Sequence, residues 1–593
     1  MKRVLALLLV SLAAPAWAVE VHVRGADGQP LPLTMVTLTP THKAPVDTSD
    51  NGYAQPRALQ KADLWRTAFT DAQGRAVLQV TGESAIRLRK PGYRDVILDA
   101  VADSAVREAV LPPETDAEAR AAAKPGNVWS AAVHVGTPED DKNFRMQCGF
   151  CHQQGTSFVR SEHTPEQWQT VISRMVGYGA RLATSIQKTA PAALQAGYAD
   201  LRKHPEKLAE PLAWQPALVE TTIDQWPLGD VMSQMHDMLV HDNGLIYVGD
   251  NLQDRLYELD PKTAHFTVYK LPREPNDTLG GFFAARLASF PKHESYLALH
   301  SLAVSAKDGH LFLTPSVQRR IVEFDPQTKT FTVHHLKDGL YPHTIRIDAQ
   351  DRVWFTLALS NQVGMIDRKT GEQHFVDLPT RSLGEAFTVR IVPLMFKLAS
   401  LGLPLSVLPI DARASGTPLP YGIDLTPDGV VWVARLHAQD LVRVDPVTLE
   451  PTLIAFPALG PRRLRADALG NLWVTAFAES AVLRYAPKTG EFTRFDMPTL
   501  PKGSDTPYSL NVDRKRNRVW VTGTASDTLN VLDPTTGAWN VIPLPHRMSF
   551  TRDIEIAADG SVYTANGAFP AWHIEGTQPT LLHITPPWAK VAP

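Results

Sequence analysis

The chain has 593 residues, 44% apolar and 20% charged, which excludes a disordered polymer and implies about four domains at roughly 150 residues each. Lys and Arg (59) nearly balance Asp and Glu (62), so the basic field needed to hold nucleic acid is missing. Two cysteines exclude a disulfide-stapled secreted scaffold.

Lys2-Arg3, an apolar run from Val4 to Ala13 and Ala16-Trp17-Ala18 form the three regions of a cleavable signal peptide, residues 1–18. The run is too short for a membrane span, so the expected location is the periplasm. Losing Lys2 and Arg3 takes the net charge from −3 to −5. Residues 19–112 alternate apolar and polar positions between Gly and Asp turns, as in Val19-Glu20-Val21-His22-Val23 and Ala76-Val77-Leu78-Gln79-Val80. That period-2 pattern predicts a small antiparallel β-sandwich. The order Asp71-Ala72-Gln73-Gly74, strand, strand, Gly92-Tyr93, strand resembles the carboxypeptidase regulatory-like domain, which implies an accessory module acting as a spacer or adhesion surface. Residues 113–126, rich in Ala and charge with Pro125, read as a linker.

Both cysteines fall in one motif, Cys148-Gly149-Phe150-Cys151-His152. Two thiols at this spacing can each bond a haem vinyl group, and the adjacent imidazole can ligate the iron. No second cysteine pair exists to complete a zinc site. The expected cofactor is therefore one covalent haem c, held by Cys148 and Cys151 with His152 as proximal ligand. Beyond it, Thr164-Pro165-Glu166-Gln167 reads as a capping box opening a helix with Trp168, Val171, Ile172, Met175 and Val176 on one face. Residues 127–211 thus resemble a small c-type cytochrome domain. Met175 is the first candidate for the distal iron ligand, with Met146, Met232, Met235, Met238 or an open position behind it; its other reading is core on an apolar stripe.

From residue 212 to 593 one unit repeats: apolar strand, Gly or acidic turn, aromatic-centred strand, third strand, then Asp-Pro and a Thr/Lys turn. The second-strand aromatics are Tyr247, Phe312, Trp354, Trp432, Trp473, Trp520 and Tyr563. Four of the intervals between them run from 41 to 47 residues, the length of a four-stranded propeller blade; intervals of 65 and 78 imply insertions near 272–296 and 380–415. Seven copies predict a seven-bladed β-propeller, with 219–228 supplying the strand missing from the last copy and closing the ring. The expected fold class is multidomain and mainly β: sandwich, small helical cytochrome c domain and C-terminal propeller.

Pro420-Tyr421-Gly422-Ile423 leading into Asp428-Gly429-Val430-Val431-Trp432-Val433, and Pro342-His343-Thr344-Ile345 before Val353-Trp354-Phe355-Thr356, resemble the streptogramin (virginiamycin B) lyase propellers. That resemblance implies the fold over most of 235–585. The family's lyases carry Glu after Trp-Phe-Thr, whereas the matching positions here are Leu357, Arg435, Ala476 and Gly523, so magnesium and acid–base chemistry lose their carboxylates. The blade-opening residues His236, His300, His343, Tyr421, Arg462, Arg463, Tyr508 and Arg552 are expected to ring the channel, with Asp250, Asn251, His437, Glu479 and Asn566 on blade-top loops. Among them His236, His300, His343, Arg462 and Arg552 are the catalytic candidates, and the three histidines could bind an additional metal ion. The functional expectation is a periplasmic haem c oxidoreductase that takes electrons from an unidentified small molecule and passes them to a periplasmic or membrane acceptor. Alternatives are a non-catalytic electron carrier or sensor with a propeller docking platform, and a carbon–oxygen lyase with an accessory haem. The apolar insertion Ile391–Ile410 holds three prolines and Lys397, which argue against a spanning helix.

Overall fold

Every repeat folds into a four-stranded antiparallel sheet in the computed structural model, which describes residues 17–41, 59–80, 82–101, 106–177, 180–283, 295–401, 417–568 and 571–589. The sheets are blade 1 (235–270), blade 2 (299–335), blade 3 (342–377), blade 4 (420–455), blade 5 (461–496), blade 6 (510–543) and blade 7 (555–585 with 222–227). Each innermost strand packs on that of the next blade, and Met235–Val240 meets Glu555–Ile556 and Val562–Ala565, closing a seven-membered ring. The strand Thr222–Pro227 pairs antiparallel with Thr580–Thr585, so the two ends of the repeat share one blade. Second strands read as near-continuous apolar runs because both faces are covered by neighbouring blades. Between blades 3 and 4, for example, Trp354, Val363, Ile423, Val431 and Val433 form one buried cluster.

The turn after the third strand depends on its acid. Asp260, Asp325, Asp367, Asp445 and Asp533 each accept a backbone N–H two residues on, at 2.8–2.9 Å. Asp367 does so without a following proline, so the recurrent Asp-Pro is an Asx turn in which Pro is optional.

The N-terminal region is not a detached spacer. Its strands form two sheets around a core of Val19, Val21, Val36, Ile86 and Leu88, and Trp17–Gly25 runs parallel to Val106–Leu111, so the sandwich is not wholly antiparallel. Trp65–Phe69 pairs with Thr222–Pro227 and Leu59–Lys61 with His265–Lys270, so this region covers the outer edges of blades 7 and 1. Arg87, Arg89 and Arg547 meet Asp95 and Glu575 across the same junction.

Helices α1 (Ala117–Ala122), α2 (Gly126–Ala131), α3 (Pro138–Cys148), α4 (Pro165–Gly177) and α5 (Thr184–Lys203) follow the sandwich and precede the ring in the chain. The stretch expected to be a linker therefore contains α1, N-capped by Asp116. At α4 the Thr164–Gln167 capping box is present in both directions, and Trp168 and Ile172 bury against Leu194 and Tyr198 of α5. Helix α6 (Leu383–Ser400) carries the first half of the apolar insertion; its second half, like most of the signal peptide, lies outside the described residues. Among the described residues no helix is long and apolar enough to cross a membrane.

Candidate functional site

The channel mouth is built by one local device repeated around the ring. The first-strand to second-strand register shifts at the same point in blades 1 to 5, a β-bulge just after the blade-opening residue. A bulge re-aims its side chain, here toward the ring axis. In blades 2, 3 and 5 the bulged amide, and in blade 6 the equivalent amide, is taken up by a second-strand threonine: Thr314 accepts from Ser301 N (2.9 Å), Thr356 from Thr344 N (3.1 Å), Thr475 from Arg463 N (3.1 Å) and Thr522 from Ser509 N (3.0 Å). In these four blades the Thr two residues after the second-strand aromatic thus holds this amide, whereas blades 1 and 4 carry Gly249 and Ala434 there.

At these positions stand His236, His300, His343, Tyr421, Arg462, Tyr508 and Arg552, one per blade, all buried. They form a packed cluster, not a solvated rim. The rings of His236 and His300 lie 4.5 Å apart, His300 and His343 4.8 Å, and His343 and Tyr421 3.9 Å. Tyr421 and Tyr508 share a hydroxyl–hydroxyl bond of 2.9 Å, and Tyr508 is 3.3 Å from His236 Nε2. Arg462 donates to the Tyr421 hydroxyl (2.7 Å), and its guanidinium sits 3.5–4.5 Å from the ring centres of Phe150, Tyr421, Phe477 and Tyr508. Arg463 reaches Asp237 with two bonds of 2.6 and 3.0 Å, and Asp237 also accepts from His236 Nδ1 at 2.9 Å.

Burial lowers His236 to about 4 and holds His300 and His343 well below the usual imidazole value, so all three are neutral. Asp237 is buried as well, yet Arg463 and His236 keep its carboxyl well below the ordinary range. For Tyr508 burial is outweighed by Arg462, Arg552 and Arg463, which lower it, whereas burial dominates in Tyr421 and raises it.

The Cys-x-x-Cys-His turn lies directly on this cluster. Phe150 packs edge-on against Tyr421 (5.8 Å) and Tyr508 (6.5 Å), so a motif side chain fills the mouth expected to hold a ligand. Arg552 donates to the carbonyls of Phe150 (3.4 Å) and Cys151 (3.0 Å) while bonding the Tyr508 hydroxyl (2.8 Å). Gln153 anchors the turn to Thr524 O and Asp527, and Asn127 binds Ala525 O and Ser504. Of the loop candidates, His437 bonds Gln147, Glu479 pairs with Lys142, Asn251 contacts His300, Asp250 accepts from Gln234 N and Asn566 bonds Thr580. His573, which sequence reasoning missed, stacks on His152 with centroids 4.4 Å apart and 12° between planes. Its only sequence signal is a histidine in the last blade's loop.

Whether this turn suits a haem is tested by its donor set. His152 directs Nδ1 to the Gln153 carbonyl (3.0 Å), leaving Nε2 as the free-electron-pair nitrogen, and burial lowers its pKa so that the ring is neutral. Stacking on His573 covers one face of the ring. Cys148 and Cys151 are half-buried and are not joined as a disulfide, and burial raises the Cys148 thiol. The donors fit. The adjoining cavity, lined by Phe144, His152, Leu194, Tyr198 and Phe550, is about 60 Å³, so a macrocycle would require these helices to part. Met175 is half-buried in the last turn of α4. Met146 packs with Phe477 and Phe550, and Met235 and Met238 belong to the blade 1 core, so those three serve packing.

The lyase-matching positions Leu357, Arg435, Ala476 and Gly523 end second strands; Arg435 is spent on a buried pair with Asp440 (2.6 Å). Comparison with family models and with curated proteins gives no match. Among solved structures, virginiamycin B lyase from Staphylococcus aureus is 14% identical with a TM-score of 0.46, over 62% of this chain and 99% of that one. A streptogramin B lyase is 15% identical with a TM-score of 0.46, over 62% and 98%. The extracellular domain of a one-component system from B. thetaiotaomicron is 15% identical with a TM-score of 0.41, over 61% and 42%. Likenesses this distant carry no activity across to this chain.

Proposed function

We propose that this chain is an exported, periplasmic haem c redox protein, in which the Cys-x-x-Cys-His turn is docked on the propeller channel. One observation carries the reading: Arg552 binds the carbonyls of Phe150 and Cys151 and, with the same guanidinium, the Tyr508 hydroxyl beside His236. Cys148 and Cys151 would hold the haem and His152 would ligate it, with Met175 the candidate second ligand. When bound, the haem supplies one-electron exchange. The chain's own part is positional: Gln153 and Asn127 fix the turn to blade 6, and the Arg552–Tyr508–His236 path links it to the histidines without crossing bulk water. In the oxidoreductase form, a small anionic or oxygen-rich molecule would be held by Arg462 once Phe150 moves, with electrons passing to a periplasmic or membrane acceptor. Closure of the mouth by Phe150 favours the second reading, a carrier or sensor reduced by partner proteins.

The test is a pyridine haemochrome spectrum and intact mass of protein purified from a periplasm competent for haem attachment, followed by a metabolite screen for haem reduction. A covalent haem lost in Cys148→Ala/Cys151→Ala is the expected result. Unmodified thiols in the wild type would overturn it. Reduction by metabolites selects the oxidoreductase, and reduction by proteins alone the carrier.

A further inference from the structure

We infer that His236, His300 and His343 form a mononuclear transition-metal site inside the propeller channel. One ring nitrogen from each lies within 4.8 Å of the other two, and all three rings are buried. They come from equivalent positions in blades 1, 2 and 3, so the ring's own curvature converges them. For an ion bound at about 2.0–2.1 Å in tetrahedral geometry, donor atoms stand about 3.4 Å apart; the triad closes to that by ring movements of about 1 Å.

The outer hydrogen bonds commit Nδ1 on two of the three rings. His236 Nδ1 is engaged by Asp237 (2.9 Å) and the His300 carbonyl (2.9 Å). His343 Nδ1 meets Thr344 Oγ1 (3.0 Å), whose own proton goes to the Tyr421 carbonyl, so the nitrogen is the donor. His300 is held at both nitrogens: Nδ1 lies 3.0 Å from the Ala298 carbonyl and 2.8 Å from the Asn251 amide nitrogen, and Nε2 lies 3.1 Å from the Tyr341 hydroxyl, which an ion would displace. Committing Nδ1–H to a carboxylate, carbonyl or hydroxyl is how metal-binding imidazoles are oriented and their Nε2 lone pairs kept available. The independent sign of a missing ligand is His343 Nε2, a fully buried acceptor with no hydrogen-bond partner. The adjacent cations do not compete for these lone pairs: Arg463 is spent on Asp237, Arg462 on the Tyr421 hydroxyl and surrounding rings, and Arg552 on Tyr508 and the motif carbonyls.

Three neutral imidazoles without thiolate select copper, zinc, nickel or ferrous iron, copper(II) most tightly, and discriminate against calcium and magnesium, which require oxygen donors. The Tyr508 hydroxyl, 3.3 Å from His236 Nε2, provides a neighbouring oxygen. This site stands on the propeller's residues alone and does not depend on the haem reading.

The experiment uses the full chain carrying Cys148→Ala/Cys151→Ala, which removes both covalent haem and thiolate as sources of signal. Chelator-treated protein is titrated with Co²⁺ and with Cu²⁺, followed by visible absorption, electron paramagnetic resonance and elemental analysis. One equivalent is expected, with tetrahedral cobalt bands and nitrogen hyperfine structure on copper. His343→Gln and His300→Gln should each weaken binding by at least about 100-fold, and Asp237→Asn, which acts through His236, by about 10–100-fold. His334→Gln, a blade 2 histidine that binds Glu323, should leave binding unchanged. Circular dichroism identifies any variant that fails to fold, and His300→Gln and His343→Gln serve as alternates for each other. Absence of binding, or equal binding by both Gln variants in folded form, would overturn the site. Binding seen only when the cysteines are present would place the ion on the motif instead.

Discussion

Replacing Asp237 by Asn removes the carboxylate that neutralises Arg463. Both groups are essentially without solvent contact, at 2% and 0% exposure, and share two short bonds. Taking one partner from a buried pair leaves an uncompensated charge, at a cost of about 3–5 kcal/mol. A ring of roughly 370 residues unfolds with an entropy of about 0.8 kcal/mol/K, so the midpoint should fall by about 4–6 °C. Removing both charges, as Asp237→Leu with Arg463→Met, should recover most of that loss, because an apolar pair of similar volume has no buried charge to satisfy. The pH dependence has a defined sign. Asp237 is held well below its unfolded value of about 3.9, so its contribution is complete above pH 4 and declines as pH falls further. The difference between wild type and Asp237→Asn should shrink on acidification below that point. Differential scanning calorimetry of metal-free protein measures all three quantities. A loss under about 1 kcal/mol, or a double variant as unstable as the single, would refute the buried-pair argument.

Phe150→Ala should uncover Arg462, whose guanidinium is 4.0 Å from the ring centre; phenylglyoxal labelling of Arg462, read by peptide mass spectrometry, should rise severalfold. Gly155→Ala would place a Cβ 1.9 Å from the Gly126 carbonyl oxygen, a backbone atom that cannot swing aside, and should cost about 1–3 kcal/mol and lower haem incorporation, measured by haemochrome yield. Glu575 and Asp95 are both held below their ordinary values by Arg87, Arg89 and Arg547, so the clamp between sandwich and ring is complete above about pH 4.3 and weakens as pH falls through their lowered values. Trp65, 5.2 Å from His546 at that junction, reports it: its fluorescence should change at higher pH in Glu575→Gln than in wild type.

Periodicity made the blades legible, since alternating strands, spaced aromatics and Asp turns recur often enough to outvote local noise. The closing strand at Thr222–Pro227 was readable because the last repeat ends one strand short. The channel residues were also readable, because a bulge at a fixed point in the repeat makes sequence position equivalent to orientation. What the repeat could not disclose is anything between units. Pairing of Trp65–Phe69 with the outer strand of blade 7 is a backbone contact across more than 150 residues and leaves no mark on composition. The stacking of His573 on His152 is of the same kind, joining a blade 7 loop to the α3 turn.

The motif and the histidine ring were each visible alone, and their contact changes what either one means. Arg552 cannot hold the Cys151 carbonyl, the Phe150 carbonyl and the Tyr508 hydroxyl independently, because one planar guanidinium makes all three bonds. Tyr508 in turn shares its hydroxyl with Tyr421 and His236. An ion that takes the His236 lone pair must therefore displace the Tyr508 hydroxyl and alter the bonds Arg552 makes to the motif. Linkage makes that effect reciprocal: a ligand whose binding to the turn is weakened by the ion weakens ion binding at the triad by the same factor. In the proposed reading, then, Phe150 closes the mouth over the triad and Arg552 is the group that touches both the turn and the Tyr508 hydroxyl.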